Sequence, residues 1–198
     1  QEQFLQDFPA MEKTPENAER LAEIVAVEPV QPWNILAITF TNKAAGELRQ
    51  RLIDMIGEDA EKINASTFHS ACVRILRRDG EQIGLKSGFT IYDTADCERL
   101  IKLVCADFNI DIKRFTPRSI LARISDYKNQ LTDASTALAQ YAPDFKPGMR
   151  HYSFGQIGDP EPVYAVVYAE YQYRLALANA VDFDDLIVRT VELLRTQP

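Results

Sequence analysis

Two short stretches carry residue types suited to holding a phosphate chain. The first, Thr39-Phe40-Thr41-Asn42-Lys43-Ala44-Ala45, groups two hydroxyls, an amide and an ammonium around one aromatic ring. The second, Thr67-Phe68-His69-Ser70, offers hydroxyls, a phenyl ring and an imidazole, with Arg74, Arg77 and Arg78 following. Hydroxyls, amides and ammonium groups bond to phosphate or sugar oxygens, and an exposed ring gives an unpaired base a face to stack on. Each stretch also admits a purely structural reading, with Thr41 and Asn42 as helix caps, Phe40 in the core and His69 hydrogen-bonded inside the fold. No second His and no carboxylate stands at ligand spacing beside His69, and Cys72 alone completes no ligand set, which argues against a metal centre there.

The elements that would position these residues are two strand-to-helix junctions. Ile35-Leu36-Ala37-Ile38-Thr39-Phe40 is a short apolar run suited to a buried strand of the parallel type. It stops at Thr41-Asn42, and Ala44, Leu48, Leu52, Met55 and Ile56 then recur at helical spacing until Gly57. Ile63 to Ser66 form a second strand candidate, Thr67 to Ser70 a turn, and Ala71, Cys72, Ile75 and Leu76 line a helix ending near Gly80. A helix beginning at such a corner presents free backbone N–H groups and the positive end of its dipole to an anion. Two βα units in succession predict an α/β sheet with its functional loops at the strands' C-terminal ends.

Outside these junctions the chain reads as helical. Residues 1–30 place Ala18, Leu21, Ala22 and Val25 on one face, ended by Pro29 and Pro32. After Phe89 to Tyr92, Asp93 or Thr94 caps a helix lined by Cys97, Leu100, Ile101, Val104 and Phe108. Thr116 caps another, with Pro117 at its first position and Ile120, Ile124, Tyr127 and Leu131 as its stripe. The Pro- and Gly-rich stretch 144–162, including Pro147, Gly148, Gly155 and Gly158, predicts an exposed loop. A long helix with Tyr164, Tyr168, Tyr171 and Leu175 follows, and its aromatic stripe predicts core packing. Asn179 and Ala180 break it, and Asp182 caps a last helix carrying Phe183, Ile187, Val191 and Leu194. Asp182, Asp184 and Asp185 could hold a cation, but their place at a helix start fits capping and dipole complementarity better.

Composition bounds the class of molecule. The 198 residues are 46% hydrophobic and 26% charged, as in an ordinary globular chain. No apolar run of about 18 residues is present to span a bilayer, and Gln1-Glu2-Gln3-Phe4 lacks a secretion signal, so an intracellular, cytoplasmic protein is expected. Cys72, Cys97 and Cys105 are expected to be reduced and mostly buried. The net charge of −7 conceals one basic stretch: residues 99–128 hold seven basic side chains, Arg99, Lys102, Lys113, Arg114, Arg118, Arg123 and Lys128, against three acidic ones. Such a stretch is either a face for a polyanion or a solvated helix surface.

Residues 34–52, with Thr67-Phe68-His69-Ser70-Ala71-Cys72-Val73-Arg74-Ile75-Leu76-Arg77, resemble motifs Ia and Ib of the UvrD/PcrA/Rep helicases of superfamily 1. Asn179-Ala180-Val181-Asp182-Phe183-Asp184-Asp185-Leu186 resembles the segment preceding the Walker B strand of those proteins. The resemblance implies a partial RecA-like P-loop NTPase domain of α/β class with a mainly α-helical inserted subdomain. It divides the chain into part of domain 1A (1–84), helical subdomain 1B (85–177) and a return to 1A (178–198). It implies a fragment of an ATP-dependent 3′-5′ DNA helicase acting in DNA repair, carrying part of the single-strand track. Phe40 would stack on a base, Thr41, Asn42 and Lys43 would hold phosphate or sugar, Thr67 and His69 would continue the track, and Phe68 would support the turn from beneath. The basic stretch would face the duplex junction.

ATP-driven translocation needs a glycine-rich loop with its Lys and a hydroxyl for magnesium. The sequence has no glycine before Gly46, and Met11-Glu12 precede the Lys13-Thr14 pair. The family's Asp-Glu magnesium motif is expected beyond Pro198. ATP and Mg2+ are therefore cofactors expected of an intact parent containing the remaining helicase domains, not of this chain alone. The alternatives are the helicase subunit of a helicase-nuclease, and a non-catalytic nucleic-acid or protein interaction module.

Overall fold

Thr41 is where the first apolar run turns into a helix. In the computed structural model, which describes residues 2–25, 30–154 and 158–196, strand β1 (Leu36–Thr39) ends two residues before helix α3 (Asn42–Ile56). The Thr41 hydroxyl accepts from the Ala44 N–H at 3.1 Å, satisfying one of the donors that every helix start leaves open. Gly57, at φ +66°, ends the helix in a backbone region that a Cβ disfavours.

The chain forms two compact units, Gln1–Ser66 and Thr67–Pro198. In the first, helices α1 (Glu2–Asp7) and α2 (Pro15–Val25) precede β1 and α3, and strand β2 (Asn64–Thr67) begins at its end. β1 and β2 form a two-stranded sheet. The Asn64 N–H donates to the Ile35 carbonyl at 3.0 Å, and Arg49 reaches from α3 to the Ala65 carbonyl at 2.9 Å. The expected fully buried strand is not what forms. Leu36 is 53% exposed and Ile38 is also exposed, because a two-stranded sheet with one helix on it offers too little surface to cover both faces. Pro32, expected to end the preceding helix, opens a short 3-10 turn, Pro32–Asn34. Pro29 and Gly155 lie outside the described residues.

The second unit is mostly helical and has two cores. Helix α4 (Phe68–Asp79), the Leu85 to Phe89 segment, strands β3 (Thr90–Ile91) and β4 (Ala180–Val181), and helix α9 (Phe183–Thr196) enclose one of them. It is built from Cys72, Leu76, Leu85, Phe89, Val181, Leu186 and Leu193. β3 and β4 pair in parallel, Thr90 with Ala180 and Ile91 with Val181. Sequence patterning alone left β4 unread, since two residues are too short for any period to show.

The other core belongs to helices α5 (Thr94–Asp107), α6 (Pro117–Asn129), α7 (Ala134–Tyr141) and α8 (Glu161–Leu177). Asp93 and Asp96 close a reciprocal capping box on α5, and the Thr116 hydroxyl caps α6 at the Ser119 N–H, with Pro117 following. Leu131, expected on the α6 stripe, lies beyond the helix at φ +53° and is exposed. α8 is buried nearly all round, with Tyr168 and Tyr171 inside as expected, and the Tyr168 ring stacks on that of Tyr127 at 5.6 Å. The described residues of the 144–162 stretch are irregular up to Pro160 but not wholly exposed: Phe145 is buried against Phe108 and Tyr152. Two residues past the end of α8, Asn179 takes a left-handed backbone (φ +47°), and its side-chain amide accepts from the Lys86 N–H and donates to the Lys86 carbonyl.

α9 presents a different face from the one expected. Leu186, Thr190 and Leu193 are inside, while Phe183, Ile187 and Leu194 are exposed. The helix carries two apolar stripes, and the one that packs against α4 is the one flanked by the buried Asp185.

Candidate nucleic-acid interface

The first corner places Phe40, Thr41, Asn42 and Lys43 together at the surface. Phe40 follows β1 directly and is 86% exposed, a large exposure for a phenyl ring that would otherwise be driven inward. Thr41, Asn42 and Lys43 are exposed beside it. The Thr41 hydroxyl is occupied by its cap, and the Lys43 ammonium stands 3.9 Å from Glu47, an open pair worth little in water. The corner therefore combines an exposed ring, an amide, an ammonium and the N-terminal backbone of a four-turn helix. That set suits a base and its phosphate.

At the second corner the cap is Thr67, whose hydroxyl accepts from the Ser70 N–H at 3.2 Å and meets the Ser70 hydroxyl at 2.9 Å. Thr67 is buried and Phe68 half-buried. The expected Thr67 to Ser70 turn is thus the cap and first turn of α4. His69 is half-buried and its ring lies 4.8 Å from that of Phe183, tilted by 42°. Phe183 is itself 57% exposed, so the two rings form a shared, solvent-reaching aromatic surface. The pattern of α9 groups Phe183 with Ile187, Val191 and Leu194, and only the packing of α9 on α4 brings it to His69. The two corners belong to separate compact units.

Beneath Phe183 lies a buried ionic cluster that sequence reasoning missed. Lys128 is 1% exposed and its ammonium bonds Asp182 at 2.6 Å and Asp185 at 2.8 Å. Tyr171 donates its hydroxyl to Asp182 at 2.9 Å, and Gln172 donates to Asp185 at 2.9 Å. The two aspartates cap reciprocally: the Asp185 N–H donates to Asp182 Oδ1 at 2.9 Å and the Asp182 N–H to Asp185 Oδ2 at 3.3 Å. Burial works against the charged Lys128, but Asp185 and Asp182 outweigh it and hold its pKa above the usual value. Burial likewise opposes the Asp182 carboxylate, and Lys128 more than offsets this and holds it below the usual range. Asp185 is pushed up, first by burial and then by Asp182. The capping role expected of these aspartates is therefore present, with a lysine added. The signal was in the sequence: Lys128 lies four residues after Ile124 and eight after Ile120, on the buried stripe of α6.

This burial also corrects the basic stretch. Lys128 points inward, Arg123 bonds Glu161 at 2.9 Å, and Arg99 approaches Asp96 at 3.4 Å. Lys102, Lys113, Arg114 and Arg118 remain exposed, with the Arg114 guanidinium over the Phe115 ring. The three cysteines are buried and unpaired by disulfide, as expected, and burial pushes the Cys105 thiol up to about 11. No helix among the described residues is long and apolar enough to cross a membrane.

Comparison with known proteins connects this geometry to a family. Residues 13–198 match the UvrD/REP helicase N-terminal domain. The chain is 46% identical over 187 residues to the ATP-dependent DNA helicase UvrD1 of Mycobacterium tuberculosis, covering 94% of this chain and 23% of that protein. It is 44% identical over 179 residues to the ATP-dependent DNA helicase PcrA of Bacillus subtilis, covering 90% of this chain and 22% of that one. It thus spans less than a quarter of the length of these relatives. With a domain match over nearly its whole length and relatives at this identity, the chain belongs to the UvrD/REP helicase N-terminal domain family.

Proposed function

We propose that this chain is the part of an ATP-dependent 3′-5′ DNA helicase that grips single-stranded DNA, lying within a RecA-like domain and its helical insertion. Phe40 stacks on a base, Asn42, Lys43 and the Thr41 corner hold phosphate or sugar, and His69 continues the track with Thr67 as the cap that sets its helix. Phe183, in ring contact with His69, joins the same surface. The observation that carries the reading is the exposure of Phe40 at a capped strand-to-helix corner, together with family membership.

Residues 85–177 act as the helical subdomain over the DNA. Support comes from the separate core of α5 to α8. Residues 178–198 return to the α/β part, a reading supported by the β3–β4 pairing and the packing of α9 on α4. The exposed Lys102, Lys113, Arg114 and Arg118 face the duplex junction. ATP and magnesium act in the parent, where nucleotide-driven closure against the remaining helicase domains alternates the grip on the strand.

Fluorescence anisotropy with a labelled oligothymidylate tests the reading. Phe40→Ala should weaken binding by about tenfold, within the ~1–3 kcal/mol that one base–aromatic stack contributes. Affinity should also fall as salt rises, through counterion release. Unchanged affinity in Phe40→Ala and His69→Ala would remove the site assignment.

A further inference from the structure

Phe183 contributes a ring to the DNA surface, yet its own burial does not hold it there. It is more than half exposed, and it is the first residue of α9, where a helix frays most readily. What fixes it is the residue before it. Asp182 caps α9 through the Asp185 N–H, receives the Tyr171 hydroxyl of α8 and bonds the Lys128 ammonium of α6. Three helices therefore converge on the one carboxylate that sets the first turn of α9. Lys128 binds the other capping aspartate as well, so both halves of the reciprocal cap depend on it.

We propose that Lys128 is a positioning residue for single-strand binding: from inside the helical block it fixes the capped start of α9 and thereby holds Phe183 against His69. This rests on the reading that the His69–Phe183 surface touches the strand. Lys128 is buried and touches no DNA. It acts through Asp182, Asp185 and the backbone of α9. The tie couples the helical block, through α6 and α8, to the α4–α9 corner, so a displacement of α6 would be felt at the aromatic pair.

A local spectroscopic signal separates this role from general support of the fold. The chain has two histidines, His69 and His151, so the His69 ring protons can be followed by NMR, and the facing Phe183 ring shifts them. Phe183→Ala supplies the unshifted position and its own loss of strand affinity, about tenfold for one lost stack. The Lys128→Met/Asp185→Asn variant removes one positive and one negative group together. It should move the His69 signals at least halfway to the Phe183→Ala position and weaken oligothymidylate binding about fivefold, within the range for one impaired stack. Adding Phe183→Ala should cost little more, because the two changes act through the same ring.

Tyr171→Phe removes only the hydroxyl donated to Asp182. It should move the same signals in the same direction by less, and it decides the matter if the double variant does not fold. Unmoved His69 signals in the folded variants would overturn the positioning role, as would affinity losses that simply multiply when combined with Phe183→Ala. A Phe183→Ala chain that binds the strand unchanged would overturn the DNA reading of this surface and the proposal with it, whatever the His69 signals do.

Discussion

The two strand-to-helix corners share one local grammar and differ in what lies under them. Each has a short strand, a threonine whose hydroxyl caps the following helix, and a phenylalanine beside that threonine. At the first corner the ring precedes the cap and is left in solvent, on a two-stranded sheet with exposed Leu36 and Ile38. At the second the ring follows the cap, on the first residue of α4, and is half-buried. There the aromatic surface comes instead from His69 and Phe183, over a core and a buried ionic cluster. Whether the ring stands one residue before the cap or one residue after it thus decides whether the phenylalanine itself can meet a ligand. A helix packed on the second corner supplies the ring that this placement takes away.

The support beneath the corners should separate them most. Leu76 of α4 is fully buried in the core between α4 and α9, and Leu76→Ala should cost about 2–5 kcal/mol in urea unfolding, from lost transfer energy and the cavity left behind. Leu48 of α3 is only half-buried, and Leu48→Ala should cost about 1 kcal/mol for the smaller apolar area it removes. Equal losses would mean that the first corner is as firmly seated as the second.

Acid should act on the second corner and spare the first cap. Asp182 has its pKa held below the usual value in the fold, so its contribution is present above about pH 4, the unfolded value, and is lost as pH falls through the folded pKa. Asp185 is shifted the other way and binds its proton in the fold before the unfolded chain would, which partly offsets the loss. Lys128 is shifted up, so its contribution is complete below about pH 10.4 and lost as pH rises through the folded value. The Asp185 amide, held by the Asp182 cap, should therefore keep its hydrogen-exchange protection at neutral pH and lose it at both extremes. The Thr41 cap contains no titratable group, so the Ala44 amide should keep its protection through the acid limb for as long as the chain stays folded.

The caps themselves give the smallest difference. Thr67→Ala should cost about 1–2 kcal/mol and Thr41→Ala about 0.5–1 kcal/mol, the upper and lower parts of the range for a lost N-cap. The buried Thr67 hydroxyl also partners Ser70, whereas water can reach the amide that Thr41 caps. Calorimetric melting of the two variants measures this directly, and a reversed order would remove the distinction drawn from burial.

Much of the local structure was legible in the sequence because it is decided within one turn of chain. Thr41, Thr116, Asp93 and Asp182 announced helix starts, and the buried stripes of α5 and α8 followed from spacing. The motif resemblance located both corners. Short-range patterning failed where a helix had two candidate faces or where a charge was buried. α9 carries one apolar stripe for the core and another that surfaces at Phe183. Lys128 carries a surface-type charge but stands on the buried α6 stripe. The eight residues of α7 carry too weak a period to show a helix, and β4, two residues long, is too short to show any.

The sequence by itself determined where helices begin, which residue types stand at the two corners and which family the chain resembles, since caps, spacing and motifs are properties of neighbouring residues. The tertiary structure decided which face of α9 is inside, that Lys128 sits between two aspartates more than fifty residues away, and that Phe183 meets His69. Those outcomes depend on which distant surfaces exclude water together, and no window of neighbouring residues contains that information.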